Sequence, residues 1–241
     1  MTDAVVTEPI SPEPGLFARA IGIIMSPKAT FEAVVRSPKT IGVLALVAFL
    51  AGASQAAMNL TESGRAAAVD FQEQQMEKFG VTVTDQMHDT MVTRQKYAVY
   101  TSFVGTFIGF PIMILIVSGI LYAVFNAIMG GTAEFKQVMA IASHAMMVTG
   151  LGAVFGGIMN FIKGSISTSV ANLGMLLPML PERSFAANIA GAVDVFTIWW
   201  ILTLSIGLGV LYKRKTSNIA TGLFVVYAII AVCFSYFLRK G

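Results

Sequence analysis

The chain has 241 residues, of which 56% are hydrophobic and only 12% charged, with a net charge of +3 and a mean hydropathy of +0.74. A soluble domain carries about 25% charged residues, so this surface has too little charge for water and lipid is the expected solvent. No basic cluster interleaves with aromatics, which argues against nucleic acid as a partner, and the single cysteine, Cys233, excludes an intrachain disulfide and argues against a cysteine-based metal site.

Residues 1–15 carry Asp3, Glu8, Glu13, Pro9, Pro12 and Pro14, a composition expected of a disordered tail and unlike a cleavable signal peptide. Residues 16–36 read as two short amphipathic helices. The first, Leu16 to Met25, is too short to span and is interrupted by Arg19, so it is expected to lie along the bilayer surface. Ser26 as N-cap and Pro27 at the first helical position open the second, which places Phe31, Val34 and Val35 on one face. Ser37-Pro38-Lys39 repeats that start signal before the first transmembrane helix, predicted over 40–58.

The segment 59–96 is polar and reads as a helical hairpin or cap outside the membrane, with a break at Gly80. A second membrane helix is predicted over 97–129, longer than the hydrocarbon is thick and kinked at Pro111. After Gly130-Gly131 a third follows over 136–159. The stretch 160–187 is only partly apolar, and its Val170 to Leu180 piece reads as a surface or partly re-entrant segment. The fourth helix, 188–212, ends at Lys213-Arg214-Lys215, and the fifth, 219–238, ends at Arg239-Lys240.

Runs of about 20 apolar residues cross a bilayer as helices, because only a helix satisfies its own backbone in hydrocarbon. The expected fold is therefore all-α: a polytopic five-helix bundle with N-terminal amphipathic helices. Basic residues divide evenly between the two sides, eight and eight. The tight Lys213-Arg214-Lys215 loop tips the choice to a cytoplasmic N-terminus.

Three features recur in a familiar order: Ser26, Pro27 and Phe31 before the first span; Gly130, Gly131, Phe135 and Lys136 between spans two and three; and Asp194, Trp199 and Trp200 leading to Ile206-Gly207-Leu208 and a basic turn. Together they resemble the Yip1 domain family in its bacterial form, over roughly residues 16–238. The resemblance implies a five-helix bundle with a cytoplasmic N-terminus and supplies no catalytic residues. Eukaryotic members are linked to Rab GTPases and vesicle traffic, a role not carried over to a bacterial chain that would lack that machinery.

Candidate functional residues are few. His144, in the third helix, is an ionisable group in a membrane and so a candidate relay or gate; the plainer reading is a neutral imidazole bonded to a neighbouring helix. Asp194 enters the fourth helix from the opposite face, too far from His144 to pair, and reads as an interfacial carboxylate favoured by the helix dipole. Gly105-x-x-x-Gly109 and Gly152-x-x-x-Gly156 permit close helix approach, either in self-association or, preferred, inside the bundle. Trp199 and Trp200 fall near the middle of the fourth helix and read as packing.

The fourteen methionines read as core filling, since no Met ladder runs across several helices. With only His88 and His144 there is no histidine cluster, and no cofactor is expected. Nucleotide-binding loops and catalytic triads are missing from the sequence. The expected function is non-enzymatic: a scaffold, adaptor or accessory subunit in a bacterial inner membrane, with the bilayer and a membrane-protein partner or second copy as its contacts. A channel or transporter component for a small solute or ion is the alternative.

Overall fold

The computed structural model describes residues 13–166, 171–177, 179–181 and 184–238. Among the described residues ten α-helices follow one another: α1 (Leu16–Met25), α2 (Pro27–Arg36), α3 (Ile41–Asn59), α4 (Glu62–Lys78), α5 (Asp85–Arg94), α6 (Ala98–Tyr122), α7 (Phe135–Lys163), α8 (Phe185–Ala192), α9 (Val195–Tyr212) and α10 (Thr216–Leu238). A 3₁₀ turn joins α5 to α6, and a π-helical turn at Ala123–Ile128 closes the end of α6. Extended pairing among the described residues is confined to one isolated bridge between Asn172 and Asp194. Among the described residues five helices are long and apolar enough to cross a membrane: α3, α6 with its extensions, α7, α9 and α10. The fold is all-α.

The core lies around α7. Along this helix Ala140 to Val148 are buried without a break, and α3, α6 and α9 all pack against it. Small side chains allow the approach. Gly150 meets Val47 and Leu50 of α3, Gly157 leaves 2.8 Å between an added Cβ and Ser54, and Gly152 leaves 2.9 Å to the Phe196 ring of α9. Without a hydrophobic force between helices in lipid, such close packing supplies the attraction.

The N-terminal helices do not simply lie on the bilayer. α2 packs on α9 and α7, and α1 on α2, α7 and α3. Ile23, Phe31 and Val34 are fully buried, and the Phe31 ring lies 2.9 Å from where a side chain on Gly207 would begin. Arg19 turns inward, only 3% exposed, and donates from Nε to Pro14 O at 2.9 Å and from Nη1 to Ser37 O at 2.8 Å. It satisfies carbonyls where the chain enters α1 and leaves α2, which a lipid-facing apolar side chain could not do. The outer face of α1 remains apolar, with Phe17, Ile21 and Met25 exposed for the interfacial lipid to cover. Ser26 occupies the N-cap of α2 without a side-chain cap bond; its carbonyl accepts from Thr30 Oγ1 at 2.9 Å.

Residues 59–96 form a helical hairpin, α4 and α5, with N-caps from Thr61 and Thr84 and a left-handed Gly80 (φ 76°) between them. The helix running from Asp85 to Ile128 has 44 residues, roughly 66 Å at 1.5 Å per residue, about twice the hydrocarbon thickness. Its charged first part, with Asp85, Asp89, Arg94 and Lys96, therefore stands in water. Pro111 sits within α6, and the helix runs on through it.

The fourth spanning helix corrects the sequence reading. It begins at Val195 and not at Asn188, because the chain breaks at Val193-Asp194 between α8 and α9. The break lets Leu173 N donate to Val193 O at 2.9 Å and Val195 N to Ala171 O at 3.1 Å. Backbone groups that leave the helix are thus satisfied by the preceding loop. The segments 1–12, 167–170, Pro178, 182–183 and 239–241 lie outside the described residues, so residues 1–12 of the expected tail and Val170 and Pro178 of the expected re-entrant piece fall there.

Phe31→Ala is expected to lower unfolding free energy by about 3–5 kcal/mol, the usual range for emptying a buried phenylalanine site, whereas exposed Glu32→Ala should change it by less than about 0.5 kcal/mol. Thermal unfolding of the two variants in one mild detergent checks the contrast.

Candidate functional site: a one-ended polar cavity

The two ends of the bundle differ in construction. At the N-terminal end the turns are clamped. Tyr212 donates its hydroxyl to Asn126 Oδ1 at 2.7 Å, and Asn126 Nδ2 donates to Ala133 O at 2.7 Å. The Tyr212 ring stacks on Phe125 at 4.9 Å and occupies the space a side chain on Gly131 would need, 2.6 Å from its Cβ position. Gly130 makes the turn with φ 71°. Arg214 donates to Met129 O at 3.1 Å, and Gln137 Nε2 to Val35 O at 3.2 Å. Phe135 meets Tyr122 edge-on at 5.7 Å, and Lys136 pairs with Glu134 at 2.9 Å. Ser26, Pro27, Phe31, Gly130, Gly131, Phe135 and Lys136 thus belong to one end of the bundle, where they hold helices together.

The opposite end encloses a cavity of about 1140 Å³. Its walls are the C-terminal halves of α3 and α7, the first turns of α6 and α9, and Tyr227 of α10; α4 and α5 form its roof. Several lining hydroxyls spend their protons on their own helices: Ser54 on Leu50 O, Ser102 and Thr101 on Ala98 O. Their remaining lone pairs are acceptors. Asn59 Nδ2 donates to Ser102 Oγ at 3.3 Å, linking α3 to α6. Asp194 Oδ1 accepts from Thr197 N at 2.9 Å and caps α9. Tyr227 donates to Ala192 O at 2.6 Å and ties α10 to α8. Three buried polar atoms on the lining residues have no hydrogen-bond partner among the described residues: Asn59 Oδ1, Gln95 Oε1 and Trp200 Nε1. Each such atom costs about 1–3 kcal/mol when nothing satisfies it.

Asp194 is in the cavity wall, as the N-cap of α9 and not a residue within the helix. His144 is not among the lining residues. It is 1% exposed in the packed half, and its Nδ1 donates to Ala140 O of its own helix at 2.7 Å, where the sequence suggested a neighbouring helix. Because α9 starts late, Trp199 and Trp200 fall in its second turn and not mid-helix. Trp200 lines the cavity, and Trp199 stacks with Phe196.

The glycine pairs separate. Gly152 packs against the Phe196 ring of α9, and both Gly152 and Gly156 line the cavity. Gly105 and Gly109 face outward with no described residue within 4 Å of either Cβ position, so among the described residues they do not pack within the chain's own bundle as expected. Sequence reading missed Gln95, Asn59 and Trp200 Nε1 as a group. The available signal was the cluster Ser54, Gln55 and Asn59 in the last turns of α3, matched by Thr101 and Ser102 at the start of α6.

The roof is held in part by an ion pair outside the membrane, His88 Nδ1 donating to Glu73 Oε1 at 2.7 Å. That hydrogen bond raises the His88 pKa above its ordinary 6.5. No group of three or more His, Cys, Asp or Glu that could hold a metal occurs among the described residues.

Fold and cavity together define a polytopic, all-helical integral membrane protein. The chain belongs to the Yip1 domain family, whose profile matches residues 21–238. It is similar to the membrane protein YknW of Bacillus subtilis (strain 168), with 24% identity over 226 residues covering 90% of this chain and 89% of the relative. No solved structure matches significantly.

Two outcomes are expected at this site. A raised histidine pKa stabilises the folded form fully below the unfolded value and loses that contribution as pH rises through the raised value. Amide protection factors in α4 and α5, with the intrinsic pH dependence of exchange divided out, should therefore be higher at pH 6 than at pH 8.5, and a Glu73→Gln variant should lose the difference. In a Cys233→Ser background, Ala153→Cys on the cavity wall should react with a membrane-impermeant maleimide added from the α4–α5 side, while Ala145→Cys in the packed half should not. Equal protection of both would contradict a hydrated cavity.

Proposed function

We propose that this protein is a non-enzymatic adaptor or accessory subunit of a membrane complex. The observation that carries the reading is the outward pair Gly105 and Gly109 on α6. A helix-interior glycine costs about 1 kcal/mol relative to alanine, and no described residue of the chain uses the close approach that these two permit. Val104, Ile108 and Ile112 flank them on the same exposed surface, a combination suited to a second transmembrane helix from a partner or another copy.

The proposed location is the bacterial cytoplasmic membrane with the N-terminus inside. The bacterial relative and the Lys213, Arg214 and Lys215 cluster in a tight turn support that orientation. The alternative, a channel or transporter component, draws its support from the cavity. Conduction would need an opening through the packed layer around His144 and Ile141, both buried.

The test is co-purification from native membranes in mild detergent. Wild type should carry a stoichiometric membrane partner or a second copy, and Gly105→Ile/Gly109→Ile should release it with an unchanged melting temperature. A monodisperse monomer in both preparations would sink the adaptor reading.

A further inference from the structure

We propose that the cavity is a lipid site for one glycerophospholipid whose headgroup carries hydrogen-bond donors. The inference does not depend on the adaptor reading. Its first support is position. The cavity takes its roof from α4 and α5 in water and its walls from spanning helices, so it straddles the boundary where a lipid headgroup meets its chains. Polarity is graded in the same direction. Gln72, Arg94 and Gln95 lie at the outer end, whereas Ala51, Gly152 and Phe196 line the inner part.

The unpartnered atoms specify the chemistry. Gln95 is 8% exposed with Oε1 unsatisfied, and Asn59 Oδ1 is unsatisfied at the end of α3. Both are acceptors near the mouth and call for a donor. Arg94, exposed beside them, has no ion-pair partner among the described residues and suits a phosphate. Trp200 Nε1, on α9 about 9 Å along the helix axis from its Asp194 N-cap, is a donor and is also unsatisfied. At that depth an acyl ester carbonyl is the acceptor a glycerophospholipid presents. The donor-bearing head and the phosphate next to it therefore match Gln95 with Asn59 and Arg94 at the mouth, and an ester carbonyl and the chain match Trp200 and the apolar lining further in.

Size agrees. About 1140 Å³ exceeds the usual 300–1,000 Å³ of small-molecule pockets. The inner end is closed by the buried cluster that includes Val47, Ile141 and Leu204, so an occupant is held there and not passed through.

The proposal separates lipids by headgroup. Ethanolamine and glycerol heads carry N–H or O–H donors, and the trimethylated choline head carries none. Delipidated full-length protein is mixed with phosphatidylethanolamine, phosphatidylglycerol or phosphatidylcholine of identical chains, and bound lipid is counted by native mass spectrometry. Wild type should retain the first two at least tenfold better than the third. Gln95→Leu should reduce that preference to within about twofold, and Arg94→Gln, on the exposed rim, should weaken all three. Ile108→Ala, on the outer face of α6, should change nothing. Equal retention of the three lipids by wild type would overturn the proposal, as would an unaltered binding pattern in both Gln95→Leu and Arg94→Gln. Full displacement of bound lipid by an equal concentration of glycerophosphoethanolamine would overturn it too, because a chainless phosphoester would then be the better occupant.

Discussion

Close packing along α7 is the constraint on which the rest of this structure rests. In lipid an apolar side chain gains little by leaving its solvent for the protein interior, so helices associate through shape and hydrogen bonds. From Ala140 to Val148 the helix is enclosed on all sides, and three of these positions are alanine and one serine. α3, α6 and α9 approach it directly, and α1 and α2 are held by the same assembly. Phe31 illustrates the dependence: its ring fits beside Gly207 and Ile141, so α2 is anchored to α7 and α9 together.

The packing is uneven along the membrane normal. Near the N-terminal end, aromatic stacking and short polar bonds tie the α6–α7 turn to the α9–α10 turn, and most residues that carry the family resemblance are found there. Towards the other end the helices diverge and polar side chains face inward. The break at Val193-Asp194 contributes by replacing the first turns of a long helix with α8 set beside α10. His144 belongs to the closed half, where its bond to Ala140 O satisfies Nδ1 within its own helix.

Spans were legible in the sequence because hydrocarbon imposes a length and leaves no alternative to the helix. The hairpin over residues 59–96 was legible for the converse reason, since its charges demand water. The break before α9 was not. Ala192, Val193 and Val195 are as apolar as their neighbours, and only the bridge from Asn172 reveals where the backbone leaves the helix. Facing was equally hidden: Gly105-x-x-x-Gly109 and Gly152-x-x-x-Gly156 look alike in sequence, yet α6 turns its pair outward and α7 turns its pair inward. A cavity is a property of several helices at once, so Asn59, Gln95 and Trp200, each unremarkable alone, became a site only when the fold brought them together. The docking of α1 and α2 likewise followed from Arg19 finding Pro14 O and Ser37 O, partners that composition does not name.

The most direct test of this account is an electron cryomicroscopy structure of the full chain in a lipid nanodisc, enlarged by a rigid binding partner for alignment. The account predicts a packed layer at His144 and, on the α4–α5 side only, a cavity bounded by Gln95, Asn59 and Trp200 with elongated density inside it. A passage continuous across the His144 layer, or helices closed together with those three side chains bonded to one another, would contradict it.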